Sequence, residues 1–507
     1  MAQSNEHVFD KYASAETLAK IVDYKNVSQM WEESVKNYPD DIAIVDGESV
    51  TYRALNDAVS NFRAVLQTKG VKKGDRVAIY MHNSLAFVKA FLAITTLGAA
   101  AVLLPPHLDK TAVFGCSMKF GYTALVYGEA LAENLEILQA KSPTLPLISE
   151  NETSEAGEAG VPSVDVDGAM PCAILFTGGT TGKSKGALLS NQAVMRGVKN
   201  GCYGVEPVFG QRYFLVLPLT HVFGLIRNLL TCLYTGSAMY ICRNTKDMFR
   251  EIAVFKPTVM VLVPALAELA LNLSKQFKRN MLGSDMKYII CGASAVAPYL
   301  VKEYANLGIS LLPGYGLTES ANLVSGNPEA VKKPDSVGLI YPGIEYEIVD
   351  GELWLKGVNM MDGYVGEPTE NTNAYEDGWF KTGDLVRMDE EGFLYITGRK
   401  KEIIVLPSGE NVSPAELESK FYAIDAIQDC LIYESAGVLT IEILPRAAAI
   451  QAQGIVDVEA YMKEKVQEIN KGLPSFERIN KIIVRESDFI RSPSMKIVRN
   501  QNANDKK

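Results

Sequence analysis

A glycine- and hydroxyl-rich segment of the chain has the composition of a phosphate-binding loop. The apolar run Ala173–Phe176 is followed by the letters TGGTTGKSKG at 177–186, and a helix capped by Ser190 is expected directly after them. Glycines let backbone N–H groups close around an anion, threonine hydroxyls add donors, and Lys183 and Lys185 add positive charge. An ordinary flexible turn would not need this combination. The segment therefore predicts a cradle for a polyphosphate.

The loop ends like the Walker loop of nucleoside triphosphatases, GxxxxGK[ST], but does not begin like one. Gly182, Lys183 and Ser184 match the end of that pattern, whereas Thr177 stands at the position of its first glycine. A Walker-type enzyme is therefore disfavoured. The loop instead resembles the signature [ST]GTTGxPKG of the adenylate-forming superfamily, which includes acyl-CoA synthetases, luciferases and peptide-synthetase adenylation domains. Gly178 and Ser184 replace its usual Ser and Pro, and because both are small we expect altered loop stiffness rather than lost function.

The resemblance extends along nearly the whole chain, because further segments occur in the family's order and approximate spacing. They are 51–55 (TYRAL), 73–77 (KGDRV), 314–319 (GYGLTE), 379–385 (WFKTGDL) and 398–402 (GRKKE). Near the end of the sequence, 491–499 (RSPSMKIVR) stands where the family has its catalytic lysine. Its residues Pro-Ser-Met-Lys resemble the motif around this lysine in long-chain acyl-CoA synthetases more than the commoner Thr-Gly-Lys motif.

The resemblance implies roles for individual residues. The ATP- and AMP-binding set is Thr177, Gly178, Gly179, Thr180, Thr181, Gly182, Lys185, Gly292, Ala293, Ser294, Gly314, Tyr315, Gly316, Thr318, Asp384 and Arg399. In this set Tyr315 would offer its ring face to adenine, and Asp384 would accept the ribose hydroxyls. Glu319 would hold Mg²⁺, a hard cation that prefers oxygen ligands. Taken singly, Tyr315 is more often a core residue and Asp384 a turn residue, but their order along the chain favours the site.

The catalytic residues that the resemblance implies are Lys496, Thr318 and His221. Lys496 would contact the carboxylate and the α-phosphate during adenylation, and Thr318 would bind phosphate. His221 lies in the letters PLTHVFG (218–224), where the family lines its acyl tunnel. A lone histidine among apolar residues is as often structural, so both interpretations of His221 stay open.

Hydrophobic periodicity predicts an α/β fold with a large N-terminal domain. Short apolar runs alternate with helix-length segments over about 40–320, which is typical of parallel-type sheets with flanking helices. After about residue 335, hairpin-like strands predict a small β-subdomain, and from 401 onward the pattern predicts a small α+β domain. We place the adenylation domain at 1–399 and a mobile domain carrying the catalytic lysine at 400–507. By resemblance, Lys401 is the hinge, and Ser408 and Gly409 align approximately with the CoA-facing loop.

Composition excludes several other classes of protein. The 507 residues include 50 Lys and Arg against 60 Asp and Glu, a net charge of −10, which argues against a surface built for nucleic acid. The seven cysteines form no CxxC pair, so neither zinc nor a disulfide framework is indicated. The uncharged stretch 90–104 is too short to span a bilayer, and the first thirty residues lack the features of a secretory signal. A cytoplasmic protein without a transmembrane segment is expected.

The resemblance to the adenylate-forming superfamily implies an ATP-dependent acid–thiol ligase, an acyl-CoA synthetase that uses ATP, Mg²⁺ and CoA. It would convert an apolar carboxylate, with a fatty acid favoured, to acyl-AMP and pyrophosphate and then transfer the acyl group to CoA. Pro218–Gly224 lacks the Asp that adenylation domains use for an amino group, and no carrier-protein Ser motif follows Lys496. Two alternatives stay open: an acyl- or aryl-AMP ligase that loads a separate carrier protein, and a non-catalytic nucleotide-binding sensor or interaction subunit.

Overall fold

The computed structural model describes residues 7–153, 160–177, 185–406, 410–435, 437–491 and 497–502. Its strands, in chain order, are β1 Ile42–Asp46, β2 Glu48–Thr51, β3 Arg76–Tyr80, β4 Ala100–Leu103, β5 Ala124–Tyr127, β6 Leu147–Ser149, β7 Pro171–Phe176, β8 Gly186–Ser190, β9 Arg212–Leu215, β10 Ala238–Ile241, β11 Val259–Leu262, β12 Tyr288–Cys291, β13 Ser310–Tyr315, β14 Ser325–Gly326, β15 Leu339–Ile340, β16 Glu345–Val349, β17 Glu352–Lys356, β18 Gly363–Tyr364, β19 Tyr375–Glu376, β20 Trp379–Met388, β21 Leu394–Arg399, β22 Ile404–Val405, β23 Asn411–Val412, β24 Ile427–Ser435, β25 Val438–Pro445 and β26 Lys481–Val484. Its helices are α1 Ala15–Lys20, α2 Val27–Asn37, α3 Tyr52–Thr68, α4 Leu85–Thr96, α5 Lys110–Phe120, α6 Glu136–Lys141, α7 Asn191–Asn200, α8 Thr231–Tyr234, α9 Met248–Phe255, α10 Pro264–Phe277, α11 Pro298–Asn306, α12 Pro368–Ala374, α13 Pro414–Phe421, α14 Ala447–Ala452, α15 Val458–Lys471 and α16 Arg499–Asn502. A π-helix, Phe223–Leu230, precedes α8.

Two mostly parallel sheets form the N-terminal part. The first has the order β15-β14-β13-β12-β11-β9-β10-β1-β2, and its strands from β13 to β1 are parallel. The second has the order β18-β8-β7-β4-β3-β5-β6, parallel from β7 to β6. Helix α4 is apolar and buried nearly all round because it contacts β1 of one sheet and β3 and β4 of the other. The predicted α/β class is confirmed.

The remaining sheets are smaller and mostly antiparallel. Strands β16, β17, β20 and β19 form one of them, with β21 beside β20. Beyond the β22–β23 hairpin, β24, β25 and β26 form a sheet that packs with α13 and α15 around a separate apolar core. This arrangement agrees with the predicted β-subdomain and small α+β domain, whereas the boundary at 399/400 stays a prediction.

One local prediction was wrong. The chain does not pass from the phosphate-loop segment directly into a helix, because Gly186–Ser190 is strand β8, antiparallel to β7. Its central residues are apolar and mostly buried, so the segment extends the sheet before α7 begins. The predicted cap is present, since Ser190 Oγ accepts a hydrogen bond from the backbone N–H of Ala193. The loop therefore joins two antiparallel strands, and α7 does not start at the predicted phosphate cradle.

Two expectations from composition can be compared directly with the structure. All seven cysteines are buried and free of disulfide bonds. Within the described ranges, no helix combines the length and the apolar composition needed to cross a membrane.

Candidate active site

Several residues of the predicted nucleotide site lie where neighbouring parallel strands end. Gly292–Ser294 follow β12, Gly314 and Tyr315 end β13, and His221 comes shortly after β9. Because β9, β11, β12 and β13 are successive parallel neighbours, these segments meet at one edge of the sheet. The carboxyl edge of an open α/β sheet is the usual place for a ligand.

Bare backbone surfaces pack together at this edge. A Cβ atom on Gly292 would lie 2.9 Å from the carbonyl oxygen of Gly314, and one on Gly316 would lie 1.2 Å from the carbonyl oxygen of Asn322. Ala293 has a φ of +70°, a left-handed conformation that costs energy for a residue other than glycine. The glycines are therefore required by close approach of the segments, and Ala293 marks local strain at the same place.

Tyr315, Asp384 and Arg399 are joined directly although they are far apart in the sequence. Tyr315 Oη donates a hydrogen bond to Asp384 Oδ2 at 2.5 Å, and Arg399 Nε donates one to Asp384 Oδ1 at 2.6 Å. Asp384 and Arg399 are cross-strand partners on β20 and β21, and Asp384 is only 4% exposed. Burial and the adjoining carboxylate raise the pKa of Tyr315 well above its usual value, so its hydroxyl remains a donor. Each carboxylate oxygen keeps a lone pair for a further donor, such as a ribose hydroxyl.

Glu319 and Lys185 are brought together around the ring of Tyr364. Tyr364 Oη donates to Glu319 Oε1 at 2.7 Å, and Lys185 Nζ lies 4.8 Å from the centroid of the same ring. Lys185 also forms an ion pair with Glu370 of α12, and Thr318 is buried beside Glu319. In the described part of the chain no group of three or more His, Cys, Asp or Glu residues could hold a metal ion alone. A single carboxylate combined with substrate phosphates is a common way to bind Mg²⁺, and Glu319 fits that arrangement.

His221 occupies the turn that leads into the π-helix. Its backbone N–H donates to the carbonyl oxygen of Pro218 at 3.1 Å, and its ring Nδ1 accepts from the backbone N–H of Phe223 at 3.3 Å. A neutral ring with Nδ1 as acceptor carries its proton on Nε2. A Cβ atom on Gly292 would lie 3.6 Å from Phe223 Cζ, so this turn reaches the same edge of the sheet. His221 is thus placed near the predicted site, and its catalytic role stays a prediction.

Other predicted residues lie outside the described part of the chain. They are Gly178, Gly179, Thr180, Thr181, Gly182, Ser408, Gly409 and Lys496. Residues that flank them are described: the backbone N–H of Thr177 donates to the carbonyl oxygen of Lys185 at 2.8 Å, and Arg491 forms an antiparallel bridge with Ile497. These pairs mark the two ends of the phosphate-loop segment and of the segment that carries Lys496.

Glu352 anchors the predicted hinge, a role that the sequence analysis missed. Its carboxylate accepts a hydrogen bond from the backbone N–H of Gly383 at 2.9 Å and pairs with Lys400 Nζ at 2.8 Å. Glu352 is 3% exposed and Lys401 is the next residue after its partner, so a fixed anchor adjoins the hinge. An isolated acid at the start of a hairpin strand carries no sequence signal for this role. Tyr364 and Glu370 were also missed, because their contacts with Glu319 and Lys185 join elements that are far apart in the sequence.

Arg446 connects the C-terminal part of the chain to the N-terminal part. Its Nη2 lies 3.1 Å from Glu268 Oε1, and its guanidinium lies 3.9 Å from the centroid of the Tyr299 ring. Glu268 belongs to α10 and Tyr299 to α11, which flank the first sheet. A buried cation therefore docks the small domain in the orientation seen here.

Comparison with known proteins identifies the family. Residues 31–365 match the AMP-binding enzyme family, and residues 401–505 match the AMP-binding enzyme C-terminal domain. The chain therefore belongs to the AMP-binding enzyme family. Within that family it is an acyl-CoA ligase that forms an adenylate, as the relatives indicate.

The relatives agree on this activity and differ in their acids. The long-chain-fatty-acid–CoA ligase of Escherichia coli O6:H1 is 29% identical, over 91% of this chain and 94% of its own. The 4-coumarate–CoA ligase-like 6 of Arabidopsis thaliana is 26% identical, over 91% of this chain and 87% of its own. The solved anthranilate CoA ligase AuaEII with anthranoyl-AMP has a TM-score of 0.83 at 18% identity, over 95% and 97% of the two chains. The O-succinylbenzoate CoA synthetase of Bacillus subtilis, solved with ATP and magnesium, has a TM-score of 0.77 at 24% identity. The match covers 93% of this chain and 98% of that chain.

Proposed function

We propose that this chain joins a mainly apolar carboxylic acid to CoA, with a fatty acid as the favoured substrate. The observation that carries the proposal is the convergence of Tyr315, Asp384 and Arg399 beside the edge of the sheet where His221 also lies. Support for a fatty acid comes from relatives named long-chain-fatty-acid–CoA ligases at 29% identity. Cytoplasmic localisation stays a prediction.

The first step requires neutralisation of charge, because anionic ATP repels a carboxylate nucleophile. An oxygen of the substrate carboxylate attacks the α-phosphorus, the bond to the oxygen that bridges to the β-phosphate breaks, and pyrophosphate leaves. We propose that Lys185 binds the phosphates, that Lys496 contacts the carboxylate and the α-phosphate, and that Asp384 holds the ribose. Mg²⁺, when bound, supplies further neutralisation of the phosphates, and Glu319 is its proposed ligand.

The second step transfers the acyl group to sulfur. The CoA thiolate attacks the acyl carbonyl carbon, the bond to the AMP oxygen breaks, and AMP leaves. We propose that Ser408 and Gly409 face CoA. A surface pocket of about 290 Å³ in the C-terminal region has Leu406, Val438, Phe476 and Asn480 in its wall. Leu406 directly precedes the proposed CoA-facing residues in the sequence, which supports this pocket as a candidate surface for CoA.

The test is thioester formation from ATP, Mg²⁺ and CoA with a panel of fatty, aryl and amino acids. We expect AMP, pyrophosphate and an acyl-CoA from one class of acid. Lys496→Ala should abolish adenylation and leave ATP binding measurable, whereas Lys471→Ala, an exposed lysine of α15, serves as the matched control. Unchanged activity of Lys496→Ala would remove this residue from the mechanism.

Two other results would replace the proposal. Acyl-AMP and pyrophosphate without thioester would indicate a ligase that loads a separate carrier protein. Binding of ATP without turnover of any acid would indicate a nucleotide sensor.

A further inference from the structure

Arg227, in the middle of the π-helix, is a buried cation without a counter-charge. It is 1% exposed, and its Nη1 is fully shielded and has no hydrogen-bond partner in the described part of the chain. No carboxylate of those residues lies within 4.0 Å of its guanidinium. An unpaired charge in a protein interior costs several kcal/mol, so its retention calls for a compensating ligand.

Other buried arginines show what a structural arginine looks like in this chain. Arg63 is 3% exposed, yet its Nε donates to the carbonyl oxygen of Val161 at 2.7 Å and its Nη1 to Thr96 Oγ1 at 2.8 Å. Arg446 is also buried and has Glu268 as its ion-pair partner. Arg227 differs from both because, among the described residues, it has neither a carbonyl acceptor nor a carboxylate partner, and the polar group beside its guanidinium is the phenol of Tyr213.

Around Arg227 lie neutral polar groups rather than an acid. Tyr213 Oη is buried beside the guanidinium, and both the donor and the acceptor atoms of the Asn228 and Asn200 amides are buried without a hydrogen-bond partner among the described residues. Burial raises the pKa of Tyr213 to about 12 and the nearby guanidinium opposes that rise, so the phenol is a neutral donor. Asn228 follows Arg227 in the π-helix, and Asn200 ends α7, which packs against that helix. A guanidinium and a phenol side by side are donors that suit a carboxylate.

The position of Arg227 connects it to the acyl site. In a π-helix residues four or five apart share a face, because its hydrogen bonds run from residue i to i+5. Phe223 is four residues before Arg227 and reaches the Gly292 edge, where its Cζ would lie 3.6 Å from a Cβ atom on Gly292. Arg227 therefore lies one turn further into the molecule than the edge where the acyl group is activated. Short π-helical segments are frequent at functional sites.

We propose that Arg227, assisted by Tyr213, binds a second carboxylate at the far end of the acyl substrate. The substrate is then a dicarboxylic acid with an apolar middle, activated at one end and recognised at the other. This inference rests on the proposed acyl-CoA ligase function and names its substrate class. Arg227 is a specificity-determining residue, since a planar guanidinium binds a carboxylate through two parallel hydrogen bonds.

The first test compares matched acids on the unmodified enzyme. The value of kcat/KM for thioester formation is measured over a homologous series of monocarboxylic acids, the corresponding dicarboxylic acids and their monomethyl esters. We expect a preference for one free diacid of at least about tenfold over the matched monoacid and monoester. Equal or better turnover of the monoacids would overturn the inference and leave the proposed ligase intact. Absence of turnover with every acid would instead remove the proposed function.

The second test uses Arg227→Met, with Arg63→Met as the matched control. We expect Arg227→Met to lower kcat/KM for the diacid about 100-fold and to reverse the preference between diacid and monoacid. Without substrate its melting temperature should equal or exceed that of the wild type, because an unpaired buried charge has been removed. Arg63→Met should have a lower melting temperature than the wild type, because it leaves the carbonyl oxygen of Val161 and Thr96 Oγ1 without the donor that Arg63 supplies. If Arg227→Met melts as low as Arg63→Met, or if both acids lose activity equally, Arg227 is structural and the inference fails.

Discussion

Asp384 shows how one carboxylate can organise a nucleotide site. Asp384→Ala would leave the buried hydroxyl of Tyr315 and the guanidinium of Arg399 without their acceptor, at a cost of about 1–3 kcal/mol. We expect KM for ATP to rise about 10- to 100-fold in a pyrophosphate-release assay, because each 1.4 kcal/mol corresponds to about a tenfold change. Tyr315→Phe keeps the ring and removes one donor, so its effect should be under about fivefold. A larger effect of Tyr315→Phe than of Asp384→Ala would contradict this assignment.

Glu370 competes with the nucleotide for Lys185 if the proposed phosphate role of that lysine is correct. The ion pair between the two side chains must loosen before Lys185 can bind a phosphate. Glu370→Gln should therefore lower KM for ATP by about two- to fivefold, since partly exposed ion pairs contribute up to about 1 kcal/mol. Glu367→Gln is the matched control, because Glu367 pairs with Lys119 at 2.8 Å instead. A higher KM for ATP in Glu370→Gln would mean that Glu370 positions Lys185 for the nucleotide rather than competes with the nucleotide for it.

The turn after β13 is the element whose geometry is least tolerant. Gly316→Ala would place a Cβ atom 1.2 Å from the carbonyl oxygen of Asn322, so the turn that carries Thr318 and Glu319 must open. We expect a loss of about 3 kcal/mol or more in the free energy of unfolding, with loss of adenylation. Gly314→Ala is the control, because its nearest contact would be 3.2 Å from the carbonyl oxygen of Ser325. Chemical denaturation measures both, and similar stability of the two variants would contradict the crowding seen here.

The elements differ in how far the sequence could predict them, for a physical reason. Buried strands such as Arg76–Tyr80 can be recognised in the sequence, because burial of residues 77–80 leaves an unbroken run without charge after the arginine. Strand β8 was missed, since five residues after a glycine-rich loop do not distinguish a strand from the start of a helix. The π-helix was not predicted either, because its hydrogen-bond pattern depends on packing against α7 and β9 rather than on local propensity.

In the candidate site, too, some features can be predicted from the sequence and others depend on packing. The order of motifs along the chain was enough to predict Asp384 and Tyr315 as site residues, but it did not indicate that their side chains touch. The contact depends on the antiparallel pairing of β20 with β21 and on the packing of that sheet beside β13. Arg227 was overlooked because an arginine in an apolar run has no sequence signature that separates an exposed position from a buried one.

At the scale of the whole molecule, the apolar clusters of the N-terminal part are separate from those of the C-terminal part, and a short segment joins the two parts. The core around α13 and α15 is distinct from the core of the two large sheets. Glu352 holds Lys400 at the N-terminal side of this segment, and Arg446 meets Glu268 and Tyr299 on the other face. We propose that the region 400–507 turns as a body about Lys401, because polar contacts of this kind can be exchanged without exposing either core.

Restricting the backbone at Lys401 tests this rotation. Proline fixes φ near −65° and removes the N–H, so Lys401→Pro should hold the C-terminal region in one orientation. If adenylation and thioester formation need different orientations, Lys401→Pro should keep pyrophosphate release within about twofold and reduce transfer of a preformed acyl-AMP to CoA at least about tenfold. Lys401→Ala, which leaves the backbone free, should keep both half-reactions. Equal loss of both steps in Lys401→Pro would contradict rotation about this residue, because a general defect in the site, rather than a blocked change of orientation, would then explain the result.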